Sequence, residues 1–114
     1  MPSVRKNKVV KNATDNYYTA TTTIENDPNK TVDTVELDIT NVSGQPDAEP
    51  TNYTLTYQLE ANGLRLFKNT SIYFESNAVG YEYSMTFTMY DKFGNIIPSS
   101  VTETIEVEQA MTMP

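Results

Sequence analysis

The chain predicts a two-layer, antiparallel β domain, and three observations point to it. Several stretches alternate apolar and polar residues with a period of two, most clearly Tyr81-Glu82-Tyr83-Ser84-Met85-Thr86-Phe87-Thr88-Met89. A strand sends successive side chains to opposite faces, so this pattern marks a strand buried on one side. Turn residues recur about every ten positions. No segment carries a helical period.

The elements follow in order. Residues 1–14 read as a basic, unpatterned, extended arm. Tyr17–Glu25 is the first strand, its β-branched threonines favouring an extended chain. Asn26-Asp27-Pro28-Asn29-Lys30 is a turn, because Pro fixes φ and Asx side chains bond back to the backbone. Thr31–Thr40 puts Val35, Leu37 and Ile39 on one face and Glu36 and Asp38 on the other. Asn41–Pro50, with Gly44, Pro46 and Pro50, is a long loop of the kind that often carries contacts. Thr51–Glu60 is a strand with Tyr53, Leu55, Tyr57 and Leu59 inward, closed by the hairpin signal Asn62-Gly63. Two short strands follow, Leu64–Phe67 and Thr70–Glu75, the second carrying Ile72 and Phe74. The Tyr81 strand leads to a tight loop, Asp91–Asn95. Pro98 makes Ile96-Ile97-Pro98 a connection or an edge. Ser100–Glu108 is the last strand, with Val101, Ile105 and Val107 inward, and 110–114 is a short tail.

About seven short antiparallel strands with regular turns predict an immunoglobulin-like β-sandwich over residues 15–109; an open barrel is the alternative. The stretch from Asn77 to Asn95 resembles the F strand and F–G turn of bacterial and phage Ig-like domains: a Gly, an aromatic strand, then Asp-x-x-Gly-Asn. The resemblance implies a corner tyrosine at Tyr81 or Tyr83, tying the start of the strand to the backbone. The cysteine pair and core tryptophan of antibody domains are absent from the sequence.

Composition narrows the chemistry. With no Cys and no His, Ser-His triads, Cys nucleophiles, haem and ordinary zinc sites are excluded. A paired-carboxylate glycosidase needs a cleft that so small a domain hardly provides. We therefore expect no enzyme and no cofactor. Asp27, Asn29 and Asp33, or Asp91 and Asn95, could contribute oxygens to calcium, but their spacing fits turn chemistry better. Of the tyrosines, Tyr18, Tyr73 and Tyr90 are the expected surface positions. No run is long enough to span a membrane, and the basic start lacks the apolar stretch of a signal peptide. A membrane partner and export by the general secretory route are not expected.

The net charge of −7 is unevenly spread. Residues 1–14 carry Arg5, Lys6, Lys8 and Lys11 and no acid; the rest of the chain carries four bases against all 15 acids. A basic arm on an acidic body predicts an interaction arm. Four charges would hold nucleic acid weakly against an acidic body, so an acidic protein groove is the better partner. Arg5, Lys6, Lys8 and Lys11 would pair charge, while Val4, Val9 and Val10 would bury against the partner or extend its sheet. The resemblance to small Ig-like phage proteins implies a virion structural protein, assembled in the host cytoplasm: an auxiliary (decoration) protein docked on the major capsid protein or other virion subunits, with self-association possible. The alternatives are a tail or baseplate component, or a carbohydrate- or surface-binding adhesion module working through Asn41–Pro50 and Asp91–Asn95.

Overall fold

The computed structural model describes residues 1–111; tail residues 112–114, Met113 among them, lie outside the described residues. The described chain is all-β, with eight strands: β1 (Ser3–Lys11), β2 (Tyr18–Glu25), β3 (Thr34–Thr40), β4 (Asn52–Ala61), β5 (Leu64–Ile72), β6 (Glu82–Tyr90), β7 (Ile96–Glu106) and β8 (Glu108–Gln109). They form one curled mixed sheet in the order β7-β6-β3-β4-β5-β2-β1-β8. β4 is the corner: Asn52–Thr56 pairs with β3, and Thr56–Ala61 pairs with β5. Only Val107 separates β7 from β8, so one run of chain carries both ends of the sheet.

The curl makes two walls. β1, β2 and β5 form one; β3, β6 and β7 form the other. Their inner faces share one core, in which Val9, Ile24 and Phe67 meet Val35, Leu37 and Phe87. Phe74 bridges the walls, its ring 4.7 Å from that of Tyr18 on β2 and 5.0 Å from that of Tyr83 on β6. Tyr83 donates its hydroxyl to the Pro46 carbonyl at 2.8 Å, pinning the 41–51 loop from beneath. Burial pushes that phenol up to about 12. Tyr53 donates to the Tyr73 carbonyl and accepts from the Tyr73 amide, fixing the end of β5.

The structure corrects the sequence reading at several points. Residues 3–11 are not an extended arm: they are β1, paired antiparallel with β2, and β8 adds a short parallel pairing on its other side. Eight strands replace seven, and the sheet is mixed. The two short strands expected around Leu64 and Thr70 are one strand, β5, and Phe74 makes only an isolated bridge to Ala48. β7 starts at Ile96. Pro98 sits in a bulge there, with Ser99 at φ 96°, so the missing amide costs no ladder bond.

Two further bulges decide which side chains reach the core. On β1 the register steps from Arg5↔Thr23 to Lys8↔Thr21, leaving one extra residue, and Lys6 adopts φ 54°. Buried Thr22 fills the gap, donating to the Arg5 carbonyl and bonding the Asn7 side chain. The bulge lets both Val4 and Val9 point inward. On β4, Gln58 is the extra residue between Tyr57↔Phe67 and Leu59↔Leu66. It reverses the alternation beyond it: Leu59, expected inward, lies 51% exposed. Tyr57 also remains 44% exposed, with its ring over Arg65.

Candidate docking face

The residues predicted to bind a partner divide between two jobs. Val4 and Val9 are spent on the chain's own core, Val9 completely buried. Val10 is half-buried opposite Thr19. Lys11 turns toward the β1–β2 connection, where its ammonium donates to the Asp15 carbonyl at 3.1 Å. Arg5, Lys6 and Lys8 stay exposed. Arg5 pairs with Glu25 at 2.8 Å, and Ser3 donates to the same carboxylate at 3.2 Å. The Arg5 hydrogen bond, aided by the nearby charges of Arg5 and Lys6, holds the Glu25 carboxyl below its usual range despite partial desolvation.

Register brings a further base to this surface. Thr21 is paired with Lys8 on one side and Lys68 on the other, so the two lysines flank one threonine on the outer face. Along the next row run Arg5, Thr23, Leu66 and Leu59. The face thus combines outward bases with one exposed apolar side chain. Lys68 and Leu59 were not legible as partners of the N-terminal bases. No local spacing links residues more than fifty positions apart; only the pairing register does.

Across the molecule the charge reverses. β1, β2 and β5 hold six bases and one acid, whereas β3, β6 and β7 hold five acids and no base. Glu36 and Asp38 point outward on β3 and are bonded by neutral groups, the Thr54 hydroxyl and the Asn52 amide. Glu82 and Glu106 stand directly opposite each other on the same face, an arrangement that costs stability in isolation.

The remaining sequence candidates sort as follows. Asp27 is occupied by its own loop: its carboxylate accepts from the Thr31 amide and hydroxyl, the Val32 amide and Arg65. The Asp91 carboxylate accepts from the Phe93 and Asn95 amides, both at 2.9 Å. These acids are doing turn chemistry, and among the described residues no three acidic side chains gather in a metal-holding group. Tyr18 is buried rather than on the surface, its hydroxyl accepting the Ala78 amide at 3.0 Å. Tyr73 is exposed beside Tyr17, with ring centroids 5.9 Å apart, and Tyr90 is half-buried. The loops Asn41–Pro50 and Asp91–Asn95 lie at opposite ends of the strands: β3 pairs Thr34 with Tyr90 at one end and Thr40 with Ser84 at the other. They cannot form one site. The Asp91 end instead meets the 26–33 loop across a cleft of about 460 Å³, lined by Asp33, Asp91, Phe93 and Ile97.

Comparison with known protein families, with characterised proteins and with solved structures finds no match to this chain.

Proposed function

We propose that this chain is a non-enzymatic structural subunit of a virion, an auxiliary protein that docks on an acidic surface of neighbouring subunits. The docking element is the outer face of the β1–β2–β5 wall rather than a loose arm. The observation that carries this reading is the Lys8–Thr21–Lys68 row beside exposed Leu59. Two uncompensated ammonium groups flank a neutral residue, next to an apolar side chain that its own core does not use.

The finer architecture we propose is an Ig-like sandwich, and the pairings support it. β1 pairs with β2, β2 with β5 and β5 with the far half of β4, as A, B, E and D do; β3, β6 and β7 follow C, F and G. The test is to probe purified particles from a phage carrying the gene with an antibody to the chain. The chain is expected on wild-type particles and lost when it carries Lys8→Glu with Lys68→Glu. Particles devoid of the wild-type chain, or still decorated by the double variant, would refute the reading.

One feature favours the adhesion alternative. Phe93 is 76% exposed and Ile96 63% exposed at the end that holds the Asp91 cleft. On that reading Phe93→Ser abolishes binding to a glycan array, and a wild-type array without hits removes it.

A further inference from the structure

We infer that a second copy of this chain is a partner of the basic wall, docked through its own β3–β6–β7 wall, so that copies stack head to tail. The inference rests on the docking face proposed above and names its partner. Three observations carry it.

First, the charges are segregated by wall, not scattered. Arg5, Lys6, Lys8 and Lys68 lie on the outside of β1 and β5, and Glu36, Asp38, Glu82 and Glu106 on the outside of β3, β6 and β7; of the other charges, Arg65 is buried against Asp27 and Glu103 accepts from the Asn7 amide of β1. The shared core lies between the two walls, so their outer faces point in opposite directions. A chain of net charge −7 with interspersed signs would show no such division.

Second, apart from the Arg5–Glu25 pair, each wall holds two like charges together without compensation. Glu82 and Glu106 oppose each other directly, and Lys8 and Lys68 share Thr21 as neighbour. None of these four side chains takes part in an ion pair among the described residues. Each wall therefore gains from an opposite surface, and the other wall of the same chain supplies one.

Third, the walls match in form. Both are threonine-rich on the outside: Thr19, Thr21 and Thr23 on β2, Thr86 and Thr88 on β6, Thr102 on β7. Short side chains of this kind let two sheet faces approach closely. Three strands about 4.8 Å apart and about 30 Å long cover roughly 430 Å² per copy, the size of a transient contact rather than of a stable specific interface. The contact is accordingly weak and salt-sensitive. It uses different surfaces on the two copies, so it propagates into a ring or a filament rather than closing as a two-fold dimer.

The test is sedimentation of the full chain over a concentration series, at about 20 mM and about 0.5 M salt. We expect the average mass to rise with concentration above the monomer at low salt and to fall back to the monomer at high salt. Lys8→Glu with Lys68→Glu, and separately Glu36→Lys with Asp38→Lys, should each remain monomeric at low salt, while an equimolar mixture of the two associates. A wild-type chain that stays monomeric at every low-salt concentration overturns the inference without any variant having to fold. So does an oligomer that survives high salt or either reversal, or a mixture of folded variants that fails to associate. The acidic-wall variant separates this inference from the virion reading: it should lose self-association yet still dock on other acidic subunits. Loss of particle binding by the basic-wall variant from a wild-type chain that never self-associates would leave the virion reading standing and remove this one.

Discussion

Asp27→Ala tests the most heavily bonded side chain among the described residues. Its side chain is 2% exposed and that of its partner Arg65 is 8% exposed. The carboxylate accepts from the Thr31 amide at 2.8 Å, the Thr31 hydroxyl at 2.7 Å, the Val32 amide at 3.1 Å and the Arg65 guanidinium. Truncation leaves Arg65 buried with only the Val32 carbonyl, at 2.9 Å, and the rings of Tyr57 and Phe67 around its charge. Breaking a buried pair by removing one partner costs about 3–5 kcal/mol, chiefly through the charge left behind. Water entering the opened loop relieves part of the loss from the amides, so we expect about 4 kcal/mol in all. A domain of this length has a total stability of roughly 6–17 kcal/mol, so the variant should melt on the order of 15 °C lower. The assay is urea unfolding of Asp27→Ala, Arg65→Met and the double variant. Because the uncompensated charge dominates, adding Arg65→Met to Asp27→Ala should restore stability, to a loss of about 2 kcal/mol. Acid titration gives a second readout. Burial pushes the Asp27 carboxyl up, but the Thr31, Val32 and Arg65 hydrogen bonds outweigh it and hold it below its usual range. A depressed folded value means stability that is present above the unfolded value of about 3.9 and lost as pH falls through the folded one. That acid limb should flatten in Asp27→Ala. A loss under about 1 kcal/mol, or additive single effects, would refute the reasoning.

Tyr83→Phe removes the hydroxyl that Pro46 accepts and should cost about 1–2 kcal/mol in urea unfolding. Burial raises this phenol to about 12, so the folded state favours its neutral form. Its contribution is complete below the unfolded value of about 10 and lost as pH rises toward the folded one; the alkaline loss measured by circular dichroism should shrink in the variant. Val9→Ala removes two methyl groups from a fully buried position and should cost about 2 kcal/mol. Deleting residues 1–11 should then unfold the domain rather than merely undock it; a truncated chain with a wild-type melting curve would contradict the place of β1 in the core. Lys6→Gly relieves a left-handed residue at φ 54° and should raise the melting temperature by a few degrees, for a gain of about 0.5–1 kcal/mol. A lower melting temperature would show that the lysine contributes more than its backbone strain costs.

Wherever a strand runs regularly, its period of two was legible. β6 alternates without a break from Tyr83 to Met89, and each of its odd residues is buried. β3 and the first half of β4 behave likewise, with Val35, Leu37, Tyr53 and Leu55 inward. The hairpin at Asn62-Gly63 was legible because it depends on local backbone chemistry, and both residues adopt positive φ.

β1 could not be read because Val4 and Val9 are five positions apart. A regular strand would send them to opposite faces, so the segment looked unpatterned and basic. The bulge at Lys6-Asn7 restores their common face, and it exists only because Thr22 of β2 fills it. Leu59 was misplaced for the converse reason: the local pattern continues through Gln58, but the pairing with β5 does not. The docking face was half visible. Arg5, Lys6 and Lys8 announced themselves by clustering in sequence, yet Lys68 and Leu59 join them only through strand pairing. The opposed acidic wall is visible only once β3, β6 and β7 lie side by side. The sequence by itself determined the strand class, the regular core positions and the local turns, because these depend on period and on neighbouring residues. Tertiary structure alone decided the bulges, the fate of the basic N-terminus and the separation of charge, because each of these is set by which strand pairs with which, and in what register.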